Sequence, residues 1–211
     1  MVLRKLVGIF AITLMIGAAS FATAGVPDLV ESTAVRAYVG PEQAVMFNIP
    51  NGGGSAFTSA SIFGGSVDAS IELTIRDGFG VAIANFPAED AWLESSDAGM
   101  VACTGGATAD FNTNASGVTG WVTPLQAGDS SQAQTQVMIS GAALTSGPGL
   151  DIGHNSADIT GDGNVNLTDV PLFAGDFYGG AYAFRSDFSY DGSVNLSDVV
   201  KLAQALGASC P

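Results

Sequence analysis

The chain contains 211 residues, of which six are lysine or arginine and twenty are aspartate or glutamate, so its formal net charge is −14 at pH 7. Binding to nucleic acid or to an anionic lipid surface needs clustered basic side chains, and this acidic excess excludes both as expected partners. The length is enough for one modest domain together with a small additional module.

The first 24 residues have the composition of a secretory signal peptide. Arg4 and Lys5 form a basic start, an apolar run extends over residues 6–18, and Ala-Thr-Ala at residues 22–24 matches a cleavage site. Because the run is shorter than the roughly 20 residues of a membrane-spanning helix, we expect cleavage and no membrane span in the mature chain. A retained anchor is the alternative. The predicted location is secreted, extracellular or at the cell surface.

Residues 25–150 show the alternation of β-strands and no helical periodicity. The clearest alternation places Ile71, Leu73 and Ile75 on one face, before an Asp-Gly turn in residues 76–80. Short strands bounded by turn residues at these intervals predict a mainly β fold, namely a β-sandwich. Further strands are predicted at residues 33–38, 44–49, 90–94, 118–123 and 133–139.

An ordered series of motifs lies within this β region. A strand ending in Asp77-Gly-Phe-Gly is followed by a strand after Pro87 and by a Thr-x-x-x-Gly turn that opens at Thr113. The series resembles the bacterial immunoglobulin-like domains of invasin type over about residues 60–141. The resemblance implies an Ig-like β-sandwich that acts as a spacer or adhesive unit without catalytic residues. We expect Trp92 to be its core aromatic, and we expect Trp92 and Trp121 to serve packing rather than sugar stacking.

Three isolated features of the chain leave alternatives open. Cys103 and Cys210 are the two cysteines, and in an oxidising compartment they form a disulfide, stay free or bond to other chains. His154, in the expected junction after residue 145, has no cysteine or second histidine beside it, so no zinc site is expected. Asn114 begins an Asn-Ala-Ser acceptor pattern for a glycan.

Two copies of one twelve-residue pattern follow: residues 158–169 (loop 1) and residues 187–198 (loop 2). Both have Asp at positions 1, 5 and 12, Gly at 6, Val at 8, Asn at 9 and Leu at 10. Ca²⁺ collects oxygen ligands, and such a loop supplies them from positions 1, 3, 5, 7, 9 and 12 around a glycine turn. The pattern predicts two bound Ca²⁺ ions, with the ligands Asp158, Thr160, Asp162, Asn164, Asn166 and Asp169 in loop 1 and Asp187, Ser189, Asp191, Ser193, Asn195 and Asp198 in loop 2.

The loops depart from the strongest calcium pattern at two positions. Position 12 holds aspartate instead of glutamate, and position 3 holds the hydroxyls of Thr160 and Ser189. We therefore expect moderate affinity, suited to millimolar extracellular calcium. At position 8, Val165 and Val194 are expected to pair in a short two-strand contact. The alternative is a polar turn that binds nothing, which the duplication disfavours.

A helical pattern follows each loop, and the second is the clearer. Its apolar residues recur at i, i+3, i+4 and i+7 and stop at Gly207. They are Leu196, Val199, Val200 and Ala203, and those after loop 1 are Leu167, Val170, Leu172 and Phe173. A loop with only its following helix, in duplicate and with Asp at position 12, resembles the type I dockerin domain over about residues 156–209. The resemblance implies two antiparallel loop–helix units that hold two Ca²⁺ ions and dock on a cohesin module.

The predicted organisation is a signal peptide at 1–24, an Ig-like β-sandwich at 25–150 and a small α-helical, dockerin-like two-calcium module at 151–211. In dockerins the partner contacts fall on the helix starts, which the resemblance carries to Leu167, Thr168, Leu196 and Ser197. The expected function is that of a secreted, non-catalytic calcium-binding structural or adhesive protein. Its module docks on a cohesin-like module or on other copies of the chain.

Two alternatives to this function remain. The β region is a carbohydrate-binding module, or the chain is a polysaccharide-degrading component anchored through its dockerin. Glycoside hydrolysis needs two carboxylates in a cleft, and the pair Glu89-Asp90 in so small a domain gives little evidence of one. Neither G-x-S-x-G nor H-E-x-x-H occurs, so an enzyme is not expected.

Overall fold

The computed structural model describes residues 25–211, so the predicted signal peptide lies outside the described residues. The fold is mainly β, as predicted, with two α-helices near the C-terminus, α1 (Asp169–Gly179) and α2 (Leu196–Ala205). None of the described helices is long and apolar enough to cross a membrane. The strands are β1 (Thr33–Arg36), β2 (Ala44–Asn48), β3 (Ala60–Ile62), β4 (Gly65–Val67), β5 (Ile71–Thr74), β6 (Ala91–Ser95), β7 (Met100–Ala102), β8 (Val118–Trp121), β9 (Ala127–Asp129), β10 (Thr135–Ile139), β11 (Ala142–Ala143) and β12 (Ile152–Ser156).

The strands form four small sheets, with the orders β1-β5-β8, β11-β10-β6, β12-β2-β3-β4 and β7-β9. All pairs are antiparallel except β2 with β12, which run parallel with Ala44 opposite Ile152. The six strands predicted from alternation are confirmed as β1, β2, β5, β6, β8 and β10. In β5, Ile71 and Leu73 are buried and Glu72 is exposed, so the alternation identified the inward face.

The tryptophan in the core of the β region is Trp121 and not Trp92. Trp121 of β8 is fully buried, and its indole Nε1 donates to the Ala107 carbonyl at 3.0 Å. Trp92 is only half-buried and donates to Glu94 at 2.7 Å. The expectation that Trp92 is the core aromatic is therefore wrong. Its neighbours on either side in β6 are the buried residues, so strand alternation directs the indole to the opposite face.

The expected junction before loop 1 contains a fully buried strand. All five residues of β12 and all five of β2 are buried. One face of this parallel pair contributes Met46 and Ile152 to the core of the β region, while Phe47 and Ile49 belong to a second core. The sequence of β12, Ile-Gly-His-Asn-Ser, has neither an alternation of apolar and polar residues nor an apolar run, so this strand was not predicted.

The second core joins the two parts of the chain. Phe188 of loop 2 lies at the centre, with ring centroids 5.2 Å from Phe47 of β2 and 5.6 Å from Phe173 of α1. Residues 157–211, hereafter the loop–helix region, therefore pack against the β region (residues 25–156) through a shared apolar core. Its buried members are Phe47, Ile49, Ala157, Ile159, Val165, Phe173, Phe188, Leu202 and Ala205.

A disulfide makes the same connection covalently. Cys103, directly after β7, is bonded to Cys210 in the tail after α2, with Cα atoms 5.6 Å apart and a sequence separation of 107 residues. Closing so long a loop restricts the unfolded chain and contributes a few kcal/mol to stability. Of the three arrangements open from sequence, the structure has the intramolecular one.

His154 of β12 lies fully buried in a chain of hydrogen bonds. Asn48 Nδ2 donates to His154 Nδ1 at 3.2 Å, which leaves the proton on Nε2 to be donated to Thr135 Oγ1 at 2.8 Å. The Thr135 hydroxyl in turn donates to the carbonyl of Ile152 at 2.8 Å. The imidazole is therefore neutral, and burial lowers its pKa to about 4.

Acid is expected to destabilise the fold through His154. The folded-state pKa of about 4 lies below the ordinary value of 6.5, so the unfolded state takes up this proton first. The His154 contribution is complete above pH 6.5 and is lost as the pH falls toward 4, by roughly 3 kcal/mol in the free energy of unfolding. Urea denaturation across this range measures the loss. In His154→Gln, whose amide does not titrate, the free energy of unfolding should depend less steeply on pH over this range. An identical pH dependence in the variant would contradict the assignment.

Candidate metal centre

Loop 1 places two buried carboxylates around a hydroxyl group. The Asp158 carboxylate, at position 1, accepts backbone N–H groups of Asp162 at 3.2 Å and Gly163 at 2.8 Å. The Asp169 carboxylate, at position 12, accepts the N–H groups of Thr160 at 3.0 Å and Asn166 at 2.9 Å. The Thr160 hydroxyl lies 3.2 Å from Asp158 and 3.1 Å from Asp169. Positions 1, 3 and 12 therefore converge.

Loop 2 repeats this arrangement position by position. The Asp187 carboxylate accepts the N–H groups of positions 5 and 6 at 3.1 and 2.9 Å. The Asp198 carboxylate accepts those of positions 3 and 9, both at 2.9 Å. The Ser189 hydroxyl lies 3.4 Å from Asp187 and 3.0 Å from Asp198. Two sequences that differ at five of twelve positions thus form one hydrogen-bond pattern.

The backbone turns are repeated as well. The position 6 glycines, Gly163 and Gly192, have φ of 83° and 88°, which is the left-handed conformation that only glycine adopts without cost. Position 4 is also left-handed in both loops, with φ of 67° at Gly161 and 53° at Tyr190. The second of these was not expected from the sequence, because aromatic residues rarely take this conformation.

The remaining predicted ligands lie at the open side of each loop. The carboxylates of position 5 are exposed and accept the N–H of position 7, at 2.9 Å in loop 1 and 3.0 Å in loop 2. The position 9 amides, Asn166 and Asn195, accept the N–H of position 11 at 2.8 Å. In loop 2, Asn195 and Asp198 together form a capping box at the start of α2. Position 9 therefore also serves the helix start.

In residues 25–211 no cationic side chain forms an ion pair with the buried carboxylates, and Lys201, which lies beside loop 2, donates to the Phe188 carbonyl at 2.7 Å instead. Asp158, Asp169, Asp187 and Asp198 each have 0% of their surface exposed. The two ion pairs found in residues 25–211 join Arg36 to Asp151 and Arg185 to Asp176, outside both loops. Isolated buried carboxylates cost several kcal/mol.

The pKa values of the position 1 carboxyls reflect this environment. Burial raises the pKa of Asp158 and of Asp187, and the negative charge of the position 12 carboxylate in the same loop raises both further. A divalent cation would relieve the unfavourable burial of the charged position 1 carboxylate beside a second negative charge.

The residues present fit Ca²⁺. In residues 25–211 no three Asp, Glu, His or Cys side chains converge as a metal cluster. Each loop instead offers two buried carboxylates, a hydroxyl, an exposed third carboxylate and neighbouring amide and carbonyl oxygens. Ca²⁺ accepts such mixed oxygen ligands in flexible geometry, so Asp158, Thr160 and Asp169 would hold it in loop 1 and their counterparts in loop 2.

Contacts from the β region support both loops, and these were not found from the sequence. The backbone N–H of Asp129 in β9 donates to the carbonyl of Asp158 at 2.7 Å. The side-chain amide of Asn155 in β12 donates to the carbonyl of Asp187 at 2.6 Å. Both contacts reach position 1 of a loop from a distant segment, which no local motif indicates.

The expected pairing of Val165 with Val194 is wrong. Val165 pairs with the tail after α2: its N–H donates to the Ala208 carbonyl and its carbonyl accepts the Gly207 N–H, both at 2.8 Å. Val194 lies half-buried against the second core. The disulfide holds the tail beside loop 1, so the tail occupies the pairing edge that loop 2 was expected to use.

The predicted partner-binding residues lie at the surface, together with the apolar face predicted for α2. Leu167, Thr168, Leu196 and Ser197 are all exposed, and Leu196 shows 73% of its surface. Val199 and Val200, 37% and 54% exposed, continue from Leu196 along α2. The opposite face, with Asp198, Leu202 and Ala205, is the buried one.

The carboxylates considered for glycoside hydrolysis, Glu89 and Asp90, belong to neither loop. Glu89 and Asp90 are exposed in a one-turn 3-10 helix at residues 88–90 that precedes β6. The buried Trp121 ring offers no face for a sugar.

Comparisons with known proteins leave the family open. No family model matches the chain, and no curated protein matches it. A crystal structure of the Lin-41 filamin domain is similar to it with 15% sequence identity and a TM-score of 0.29, over 60% of this chain and 95% of that chain. A likeness at this TM-score carries no argument about function.

Removing the position 1 carboxylates is expected to remove calcium binding one site at a time. Isothermal titration calorimetry should give two Ca²⁺ ions for the wild type, one for Asp158→Ala or Asp187→Ala, and none for the double variant, because position 1 anchors each buried ligand set. Asp90→Ala, which removes an exposed carboxylate outside the loops, is the control and should keep both ions. Full stoichiometry in either single variant would refute the ligand assignment.

Proposed function

We propose that this chain is a secreted, non-catalytic, calcium-binding structural or adhesive protein. In this proposal an Ig-like β-sandwich carries a dockerin-like loop–helix region that binds two Ca²⁺ ions and docks on other proteins. The observation that carries it is the burial of Asp158, Asp169, Asp187 and Asp198 at 0% exposure, outside any ion pair found in residues 25–211. A divalent cation in each loop would neutralise these charges.

The chemistry of the chain is consistent with an extracellular setting. The Cys103–Cys210 disulfide is a bond that persists in oxidising compartments. Hydroxyl groups at position 3 give each loop a weak ligand, which suits the millimolar calcium outside cells. Binding also contributes directly to folding where the ligand set costs free energy without its ion.

The docking surface we propose is the apolar stripe of α2, defined as Leu196, Val199 and Val200, with Leu167 at the corresponding position of loop 1. Exposed apolar side chains in a row on one helix are typical of a protein-binding face. Asp198 at the base of α2 belongs to loop 2, so calcium in that loop would fix the start of the helix that carries the stripe. The proposed partner is a cohesin-like module or a second copy of this chain.

Calcium is expected to stabilise the folded protein. Each site adds about 1.4 kcal/mol when the free ion exceeds its dissociation constant tenfold, so the thermal midpoint should rise from EGTA to millimolar Ca²⁺. The Asp158→Ala, Asp187→Ala double variant serves as the control and should show no shift. Equal midpoints of the wild type in EGTA and in Ca²⁺ would contradict calcium-dependent folding.

A charge placed in the apolar stripe is expected to abolish docking without affecting calcium. Val200→Asp should prevent calcium-dependent self-association in analytical ultracentrifugation, or capture of a partner from the source culture, because burying the new carboxylate costs several kcal/mol. Val39→Asp, at a valine 96% exposed in the β region, is the matched control. A wild type that stays monomeric and captures nothing in Ca²⁺ would refute the docking proposal.

A further inference from the structure

Loop 1 lies directly against strand β9 of the β region. The backbone of Asp129 is hydrogen bonded to the carbonyl of Asp158 at 2.7 Å. Gly128, its neighbour in β9, faces the Asp158 carboxylate so closely that a methyl group at Gly128 would overlap the carboxylate oxygen. Gly161 of loop 1 packs on Asp129 in the same way, with its own added methyl 3.1 Å from the Asp129 Cβ. Strand β9 of the β region therefore packs directly against loop 1.

Positions 6 to 8 of loop 1 lie against the disulfide and the C-terminal tail. The N–H of Cys210 donates to the carbonyl of Gly163 at 2.9 Å, and a methyl group at Gly163 would lie 3.1 Å from the Cys210 Sγ atom. With the two hydrogen bonds between Val165 and the tail, this forms a short antiparallel ladder along positions 6 to 8. The tail ends in the cysteine that is bonded to Cys103.

Strand β9 and the C-terminal tail, which both contact loop 1, are also connected to each other. Cys103 follows β7 directly, and β7 pairs with β9 so that Ala102 lies opposite Ala127 and Val101 opposite Gly128. From Asp158, the path through β9, β7, the disulfide and the tail returns to loop 1 at Gly163. Every link in that path is a covalent bond, a strand pair or a direct contact.

Loop 2 has no such enclosure. In the described part of the chain, no backbone–backbone hydrogen bond joins loop 2 to the β region or to the tail. Its contacts with the β region include the side-chain amide of Asn155 on Asp187, the ring of Phe47 against Phe188, and the ring of Phe63 against Gly192. Phe63 lies in the turn between β3 and β4 and is 68% exposed. The two loops thus share one internal pattern and differ in what surrounds them.

We infer that β9 and the Cys103–Cys210 disulfide are positioning elements of the first calcium site, which is therefore built by both regions of the chain, whereas the second site forms without them. This inference rests on the proposed function, since it takes loop 1 to bind Ca²⁺. A loop held in its ligating conformation before the ion arrives loses less conformational freedom on binding, and so binds more tightly. Removing the disulfide releases the tail and leaves positions 6 to 8 without their paired strand.

The test measures each site alone in the full mature chain. Asp187→Ala leaves site 1, Asp158→Ala leaves site 2, and each background is combined with the Cys103→Ser, Cys210→Ser pair. Calcium calorimetry should show about tenfold weaker binding at site 1 without the disulfide, the size typical of lost supporting contacts, and less than about twofold change at site 2. The site 2 background also reports whether the disulfide-free chain is folded.

A second variant tests the first calcium site with the disulfide intact. Gly128→Ala places a methyl group against the Asp158 carboxylate and should weaken site 1 by a similar factor in the Asp187→Ala background, leaving site 2 unchanged. Gly65→Ala in β4, where a methyl group meets nothing within 4 Å, is the matched control. Equal weakening of both sites, or an unchanged site 1 in both the Gly128 and the cysteine variants, would overturn the inference. Absence of calcium binding in the wild type would instead refute the proposed function.

Discussion

The burial of four carboxylates in two short loops is the constraint on which the loop–helix region depends. In each loop the acidic groups at positions 1 and 12 are held by backbone N–H donors while no ion pair found in residues 25–211 includes them. The same carboxylates begin the helices: α1 starts at Asp169, and Asp198 completes the capping box of α2. The carboxylates that a cation would neutralise are therefore the same groups that stand at the helix starts.

The parallel strand pair β2–β12 connects the loop–helix region to the β region. Because both of its faces are covered, it belongs at once to the core of the β region and to the core built on Phe188. Phe47 contributes a ring to loop 2, and β12 delivers the Asn155 amide to Asp187. A change in either loop therefore acts on side chains that the β region also needs, which favours one cooperative unit over two independent modules.

Helix α2 shows why periodicity alone predicts a helix but not its buried face. The spacing of Leu196, Val199 and Val200 correctly indicated a helix, and these residues are exposed. Asp198 must turn into loop 2, and its side of the helix, with Leu202, therefore faces the protein. The hydrogen bonds that Asp198 accepts from Ser189 and Asn195 therefore decide which face of α2 is buried. The apolar stripe left outside is the feature that a docking function would use.

The sequence by itself determined what depends on neighbouring residues: the two repeated loops, their glycine turns, the helices after them and the alternating strands. Those features follow from backbone geometry and from the spacing of residues within a dozen positions. Only the tertiary structure decided the pairing of β12 with β2, the burial of His154, the bond between Cys103 and Cys210, and the wall that Gly128 presents to Asp158. These contacts join residues that are far apart in the chain. Packing and burial determine which residues meet, and no local sequence pattern indicates it.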